Sequence, residues 1–503
     1  MNDHILTPEP SVIPRINGAK VMGARPGNPF LFKVPATGEK PLCYKAENLP
    51  KGLSINSETG IITGAVKEDG DYRVQLIVEN TYGSANREFL IKIGETICLT
   101  PPMGWNSWYC HSELISEEAI RETAQAMVDT GLVDHGWTYV NIDDCWQGER
   151  KGEDLALHAN EKFKDMKGMC DFVHSLGLKP GIYSTPWIGS YAGFLGGTAD
   201  NPEADTSHEY LPEEERLQPC QVFGRNPSIG EKGLNRTGKE WFLDRDAKLL
   251  AEWGFDYIKL DWTPNDVPTT KRFNEDLINS GRDIVLSLSN AAPYENAEGL
   301  AKYANAWRTT GDIHAAWSSI SRIGFEQEAW QKFNSPGHWS DPDMLQVGNI
   351  GTPNRKNETF RPTNLTADEQ YTQVSLWCIL SAPLLLSCDI ASLDEFTLSL
   401  LTNDEVLEVN QDPAVNSAKR VYHDDFYEIW TKLLEEGSTA IGLFNKSDEK
   451  RVIEASWGEL GLSKAQVVRD LWRQKDMGTF EESFFTEVNS HGVVLVKVTE
   501  TNA

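Results

Sequence analysis

No run of eighteen apolar residues occurs anywhere in the chain, so no membrane-spanning helix is expected. Basic residues are scarce beside acidic ones, 47 against 75, which leaves a formal charge of −28. A surface of that sign repels nucleic acid and anionic lipid and leaves neutral ligands as the easier partners. The eight cysteines are scattered, with no CxxC pair and no Cys/His spacing of the zinc kind. A structural metal is therefore not expected, while one or two disulfides stay open. The opening residues MNDHILTPEP carry neither the basic nor the apolar segment of a leader. The expectation is a periplasmic or secreted protein written without its signal peptide.

What is present points to several cores. At 503 residues the chain exceeds what one hydrophobic core serves, so two or three domains are expected. Sixteen tryptophans are many for this length. Most belong to the core, but an indole face also packs against the C–H face of a sugar ring.

The texture changes twice along the chain. Residues 1–97 contain short alternating runs (FLFKV, YRVQLIV, EFLIKI) broken by turn clusters such as NSETG and KEDGD, the pattern of a small Ig-like β-sandwich. That stretch holds no clustered His or Cys and no paired carboxylates, which suits a spacer or packing module better than a carbohydrate-binding one. From 98 to 412, short apolar strands alternate with helical patterns. The strand runs are MGWNSW, TYVNIDD, KPGIYS, DYIKLDW, DIVLSLSN, AWRTTGD, GHWSDPD and PLLLSCD, eight in all. Between the first two, SEEAIRETAQAMVDTGL places Ile120, Ala124, Met127 and Val128 on one helical face, with Glu117 and Glu118 in the first turn. Eight strand–helix repeats predict a (β/α)8 TIM barrel with its active site at the C-terminal strand ends. An insert from 184 to 240 is too long for an ordinary βα loop and is expected to cover the barrel mouth. Residues 413–503 return to alternating strands, a second, antiparallel β-sandwich.

Nearly every barrel strand ends in a polar or aromatic cluster: Trp105 and Trp108, Asp143 and Asp144, Tyr183, Lys259 and Asp261, Ser289 and Asn290, Arg308 and Asp312, Asp341 and Asp343. One such Asp is usually a helix cap, but the repetition in step with the strands points to a single pocket. Asp261 and Asp312 are candidates for the two carboxyl groups of a retaining glycosidase, one attacking the sugar and one protonating the leaving oxygen. Lys259 shares the Asp261 face through the two-residue strand period and would favour its ionised form. Trp307 and Trp317 flank Asp312 in sequence and are expected to desolvate it toward a general acid. Spacing alone does not settle which Asp plays which part.

The runs PPMGWNSW, YVNIDDCW, YIKLDW, WRTTGDIHAAW, HWSDPDML and VNQDP resemble, in order, the motifs of glycoside hydrolase family 27, the α-galactosidases and α-N-acetylgalactosaminidases. The resemblance implies a TIM barrel followed by an antiparallel β domain, a retaining double displacement, no cofactor and no metal. It implies Asp261 as nucleophile and Asp312 as acid/base. Asp143 and Asp144 would bind the sugar 4- and 6-hydroxyls, Lys259 the 3- and 4-hydroxyls, and Arg308 the 2-substituent region. Trp108 and Tyr183 would line the pocket, with Asp343 as a further pocket aspartate. A disulfide between Cys110 and Cys145 is also implied. The N-terminal stretch INGAKVMGARPGNPFLFKVPATG with NLPKGLSINSETGIITG is similar to Ig-like modules found ahead of such barrels in bacterial secreted enzymes.

The chain departs from the family after the fifth strand, where LSLSNAAPY brings Ser289 and Ala292 to the 2-position in place of Glu and Leu. Those smaller residues leave room for an N-acetyl group. Trp262 and Thr263 replace the cysteine that follows the nucleophile motif in animal members, so that disulfide is not expected. The leading expectation is an exo-acting retaining α-galactosidase degrading oligo- or polysaccharides. Activities of the α-N-acetylgalactosaminidase, β-L-arabinopyranosidase or isomaltodextranase kind stay open on the same scaffold, and a non-catalytic sugar-binding protein is the distant alternative.

Overall fold

The computed structural model describes residues 4–200, 227–351, 360–463 and 465–501. The expected cover formed by the long insert therefore falls partly, at 201–226, outside the described residues.

Eight parallel strands form the centre: β1 (Met103–Asn106), β2 (Tyr139–Asn141), β3 (Lys179–Ser184), β4 (Tyr257–Asp261), β5 (Val285–Ser289), β6 (Ala306–Arg308), β7 (Trp339–Asp341) and β8 (Leu384–Leu386). They lie side by side in chain order, with β8 against the free edge of β1. A parallel bridge from Leu345 to Leu386 joins the remaining edges and curls the sheet into a TIM-like barrel. Strand β5 is buried along its whole length, as a parallel strand covered on both faces must be.

Register fixes which side chains meet. Tyr183 on β3 lies opposite Lys259 on β4, Asp261 lies opposite Ser289 on β5, and Arg308 on β6 lies opposite Asp341 on β7. Because partners in a ladder share a face, and residues two apart on one strand do too, Tyr183, Lys259, Asp261, Arg308 and Asp341 come to one side at the C-terminal tips. The helix Glu117–Asp129 is capped by Ser116, whose side chain accepts from Ala119 N, and it buries Ile120, Thr123, Ala124, Ala126 and Met127. Val128 is only half-buried, since it sits a further 100° around the helix from Met127.

Two β modules flank the barrel. In the N-terminal one, strands Val21–Ala24, Gly83–Ile93, Gly70–Asn80 and Cys43–Glu47 form one sheet, and Phe30–Lys33, Ile61–Gly64 and Leu53–Ile55 form another. Phe30, Ile62, Val74, Leu76, Phe89 and Ile91 fill the space between them. This module docks on the N-terminal face of the barrel, away from the strand tips. Asp283, just ahead of β5, accepts from Arg25 N (2.9 Å), Arg25 Nη1 (3.1 Å) and Asn28 Nδ2 (2.9 Å). Asp134, ahead of β2, takes Lys40 Nζ at 2.9 Å on its side chain and Asn17 Nδ2 at 3.0 Å on its carbonyl.

The C-terminal module is an antiparallel sheet in the order Lys419–His423, Tyr427–Leu433, Thr439–Asn445, Val493–Glu500, Gln466–Asp470 and Lys475–Phe480, with Arg451–Ser456 and Ser483–Val488 paired beside it. The helix Ala367–Ile379 is buried at every residue from Glu369 to Ile379 because the barrel lies on one side and this sheet on the other. Gly442 permits the close approach: a Cβ there would stand 2.7 Å from Ile379 Cδ1. Trp472 Nε1 donates to Ser375 Oγ at 2.9 Å across the same junction.

Replacing Asp283 by Ala strands the three donors of Arg25 and Asn28 and should weaken the docking of the N-terminal module by about 2 kcal/mol. Proteolysis within residues 15–93 should accelerate while the barrel stays resistant; equal resistance in both proteins would show that these contacts do not hold the module.

Candidate active site

A cavity of about 300 Å³ opens among the C-terminal tips of the barrel strands, lined by Trp108, Tyr109, Asp143, Asp144, Tyr183, Tyr191, Lys259, Asp261, Thr263, Asn290, Ala291, Arg308, Asp312 and Met344. That volume suits one sugar ring.

Two cations, in three ion pairs, organise it. Lys259 Nζ stands 2.8 Å from Asp143 Oδ2, which also accepts from Asn106 Nδ2 at 2.8 Å. Burial alone would lower the Lys259 pKa, but Asp143 and then Asp261 hold it raised, so the ammonium stays charged. Arg308 Nη2 lies 2.8 Å from Asp343 Oδ2 and 3.1 Å from Asp312 Oδ1. Asp343 Oδ2 also accepts from Ile313 N at 2.8 Å, so one carboxylate fixes both the guanidinium and the loop that carries Asp312. Tyr109 OH donates to Ile313 O at 2.8 Å and secures the same loop.

Asp144 is held from several sides. Its Oδ1 accepts from Cys145 N and Gln147 Nε2, each at 2.8 Å, and its Oδ2 accepts from Ala192 N at 3.0 Å. Ser190 adds a side-chain hydrogen bond, yet burial still raises the Asp144 pKa. The buried Tyr183 hydroxyl has no hydrogen-bond partner among the described residues and is available to a ligand.

Asp261 is buried, 5% exposed, and its surroundings push its pKa up to about 7. Desolvation is the main cause, with Lys259 the strongest opposing influence. Asn290 Nδ2 approaches Asp261 Oδ1 at 3.4 Å. Asp341, lower in the barrel and also buried, is raised to about 6 by desolvation. Three non-glycine residues around the cavity take left-handed backbone: Cys145 (φ 84°), Ala291 (φ 50°) and Asp343 (φ 84°). Such strain collects where side chains must be aimed rather than where the chain is most comfortable.

Several expectations need correction. Ser289 and Ala292 do not line the cavity; Asn290 and Ala291 do. β5 ends at Ser289, and the turn at Ala291 breaks the alternation that would have continued the strand. Asp343 lies behind the wall, gripping Arg308. Trp317 does not shield Asp312. It stacks on His491 of the C-terminal module, ring centroids 4.3 Å apart, and the Asp312 side chain is 34% exposed. Trp307 is buried beside the inward-facing Arg308, on the opposite face of β6. The Cys110–Cys145 disulfide is not formed. Cys110 carries a free thiol directed at Ser107 O, 3.8 Å away, because the short helix Trp108–His111 turns it back on its own start. Tyr109, Tyr191, Ala291 and Met344 line the cavity without having been singled out. Tyr109 follows the PPMGWNSW run and Met344 lies within HWSDPDML, but nothing local marked Tyr191.

Among the described residues, no cluster of three or more His, Cys, Asp or Glu is placed to hold a metal ion, and no helix is long and apolar enough to cross a membrane.

Carboxylates gathered at the strand tips of a TIM-like barrel, around one sugar-sized cavity, define a glycoside hydrolase. The family model described as Alpha galactosidase A matches residues 100–222 and 224–412. The model for the Alpha galactosidase C-terminal beta sandwich domain matches 424–498, and an Ig domain model matches 14–94. The chain belongs to the alpha-galactosidase family, glycoside hydrolase family 27. Alpha-galactosidase 2 of Arabidopsis thaliana is 33% identical to it over 81% of this chain and 91% of its own. A Bacteroides fragilis crystal structure, provisionally described as an alpha-galactosidase, is 28% identical with a TM-score of 0.82, covering 97% of this chain and 98% of that one. A GH27 β-L-arabinopyranosidase of Geobacillus stearothermophilus is 29% identical with a TM-score of 0.64, covering 80% of this chain and 97% of its own.

The Asp261 carboxyl titrates near 7 in the folded protein and near 4 in an unfolded chain. The folded state therefore binds the extra proton, and its stability falls as pH rises through that window, by on the order of a few kcal/mol in all. Asp261→Asn should accordingly melt above the parent protein at pH 8, with the gap closing toward pH 4. A gap that is constant with pH would contradict the raised titration.

Proposed function

We propose that this protein is a retaining, exo-acting glycoside hydrolase that releases terminal α-D-galactose. The observation that carries this reading is the placement of Asp261 and Asp312 on one cavity the size of a monosaccharide. Asp261, beside the Lys259 ammonium, attacks the anomeric carbon in its ionised form while Asp312 passes a proton to the glycosidic oxygen. The aglycone departs and a glycosyl ester remains on Asp261. Asp312, now ionised, takes a proton from water as that water attacks the anomeric carbon and frees Asp261. Two inversions leave the anomeric configuration retained. The partial exposure of Asp312 suits a group that must meet both a leaving group and an incoming water.

The rest of the wall supplies recognition. Asp143 and Asp144 accept the hydroxyls at C4 and C6, Lys259 serves C3 and C4, and Arg308 and Asn290 stand toward C2. Trp108 and Tyr183 bound the ring, and Asp343 keeps Arg308 in place. Two held carboxylates side by side favour a galactose-configured sugar, since an epimer leaves a buried group unpaired and is rejected by roughly 10⁴ or more.

Initial rates on the aryl glycosides α-D-galactoside, α-N-acetylgalactosaminide, β-L-arabinopyranoside and α-D-glucoside test the assignment. The first should show the highest kcat/KM, with the α-anomer as first product. A β-anomeric first product, a higher rate on another member, or binding without turnover would overturn it. Asp261→Asn should lose about 10³-fold or more in kcat. Lys259→Met removes the strongest influence opposing burial at Asp261, so the acidic limb of kcat/KM should move to higher pH. A limb that stays put would detach the titrating group from Asp261.

A further inference from the structure

The wall contributed by β2 and β3 lies across the barrel ring from β6, whose tip leads into Asp312. It is closed by a hairpin from the first part of the long insert. Gly189 and Leu195 form an antiparallel bridge. Within it Ser190 N donates to Phe194 O at 2.8 Å and Gly193 N to Ser190 O at 3.0 Å, with Gly193 in the left-handed turn at φ 98°. Gly196 N donates to Ile188 O at 2.8 Å. The returning chain fastens the hairpin from outside, through Ile188 N to Arg236 O at 2.9 Å and Gly189 N to Leu234 O at 3.1 Å. This is a rigid piece of wall, not a loose loop.

Its tip faces the cavity. Ser190 is fully buried; its Oγ accepts from Phe194 N at 3.1 Å, which leaves the hydroxyl proton for its hydrogen bond to Asp144. Ala192 N donates to Asp144 Oδ2 from the other side. With Cys145 N and Gln147 Nε2 on Oδ1, four donors hold the Asp144 carboxylate, so it cannot turn to follow a ligand. Between the two residues that clasp Asp144 stands Tyr191, half-buried, lining the cavity and braced by Trp187 at a ring separation of 5.1 Å. Contacts run along this wall from Lys259 to Asp143, from Asp143 to Asp144, and from Asp144 to Ala192, the neighbour of Tyr191. With C1 between Asp261 and Asp312, C4 lies across the ring from the reacting carbon, and its neighbour C5 carries whatever distinguishes a hexose from a pentose.

We propose that the 188–196 hairpin is the specificity element of the glycone pocket: Tyr191 packs against the hydroxymethyl group on C5, and Ser190 positions Asp144 to receive its hydroxyl. The hairpin then decides between a galactopyranoside and the pentopyranoside that lacks this group, a β-L-arabinopyranoside, which has the same ring stereochemistry. Tyr191 is a specificity-determining residue and Ser190 a positioning residue. This inference rests on the glycosidase reading given above.

The ratio of kcat/KM on aryl α-D-galactoside to that on aryl β-L-arabinopyranoside, measured on the full chain, reads the effect directly. Tyr191→Ala should lower the ratio at least tenfold, with the loss falling on the galactoside and the pentoside rate kept within threefold. Ser190→Ala should lower it at least threefold in the same sense. A general loss of structure depresses both substrates alike, so equal losses, or a ratio unchanged in both variants, would overturn the proposal. If the unmodified protein hydrolyses neither glycoside, the glycosidase reading itself fails and takes this inference with it, a result visible before any variant is made.

Discussion

Six carboxylates crowd the top of this barrel, Asp143, Asp144, Asp261, Asp312, Asp341 and Asp343, and two cations, Lys259 and Arg308, stand among them. Charge of one sign in a buried space is unfavourable unless each group is paired, solvated by protein dipoles or protonated. All three remedies are in use. Asp143 and Asp343 are paired, Asp144 is wrapped in protein donors, and Asp261 and Asp341 are pushed toward their protonated forms. Asp261 and Asp312 remain on the cavity, and at Asp261 the Lys259 ammonium opposes burial, favouring the ionised form that a nucleophile needs.

Holding such an arrangement requires a stiff surround. Asp343 sits in left-handed backbone, and its carbonyl accepts from Trp377 Nε1 at 2.7 Å, a residue of the helix Ala367–Ile379. That helix packs in turn on the C-terminal sheet. His491, in the turn before the strand Val493–Glu500, stacks on Trp317, which begins the helix after the Asp312 loop, and its Nδ1 donates to Glu369 Oε1 at 2.8 Å. The positions of Arg308 and Asp312 thus depend on residues more than a hundred positions further along the chain.

Much of this was legible in the sequence, for physical reasons. Parallel strands covered on both faces read as unbroken apolar runs, and the polar residues just beyond them mark the tips. Asp143, Asp144, Lys259, Asp261, Arg308 and Asp312 could be placed on a common rim from that pattern, and the strand register brings them there. Legibility stops where the regular period stops. One left-handed residue, Ala291, ends the alternation after β5, so Asn290 and Ala291 line the cavity, Ala292 does not, and Ser289, though on the Asp261 face, is not part of the lining. Trp317 was read as a neighbour of Asp312 because the two are close in sequence, but its partner arrives from the opposite end of the chain. Tyr191 could not be found at all, since its inward aim comes from a hairpin closed by Leu234 and Arg236, far away in sequence.

The helix Ala367–Ile379 is covered on every side, and Gly442 brings the C-terminal sheet within touching distance of Ile379. The N-terminal module meets the barrel's underside partly through polar, solvent-reachable contacts such as Arg25 with Asp283. The two attachments differ in kind, and so do the ways the chain can be rearranged by recombination. A cut between the first module and the barrel exposes groups that water can satisfy. A cut beyond residue 412 lays bare an oily seam, so the barrel loses more apolar cover by parting from the trailing sandwich than it loses at contacts such as Arg25 with Asp283.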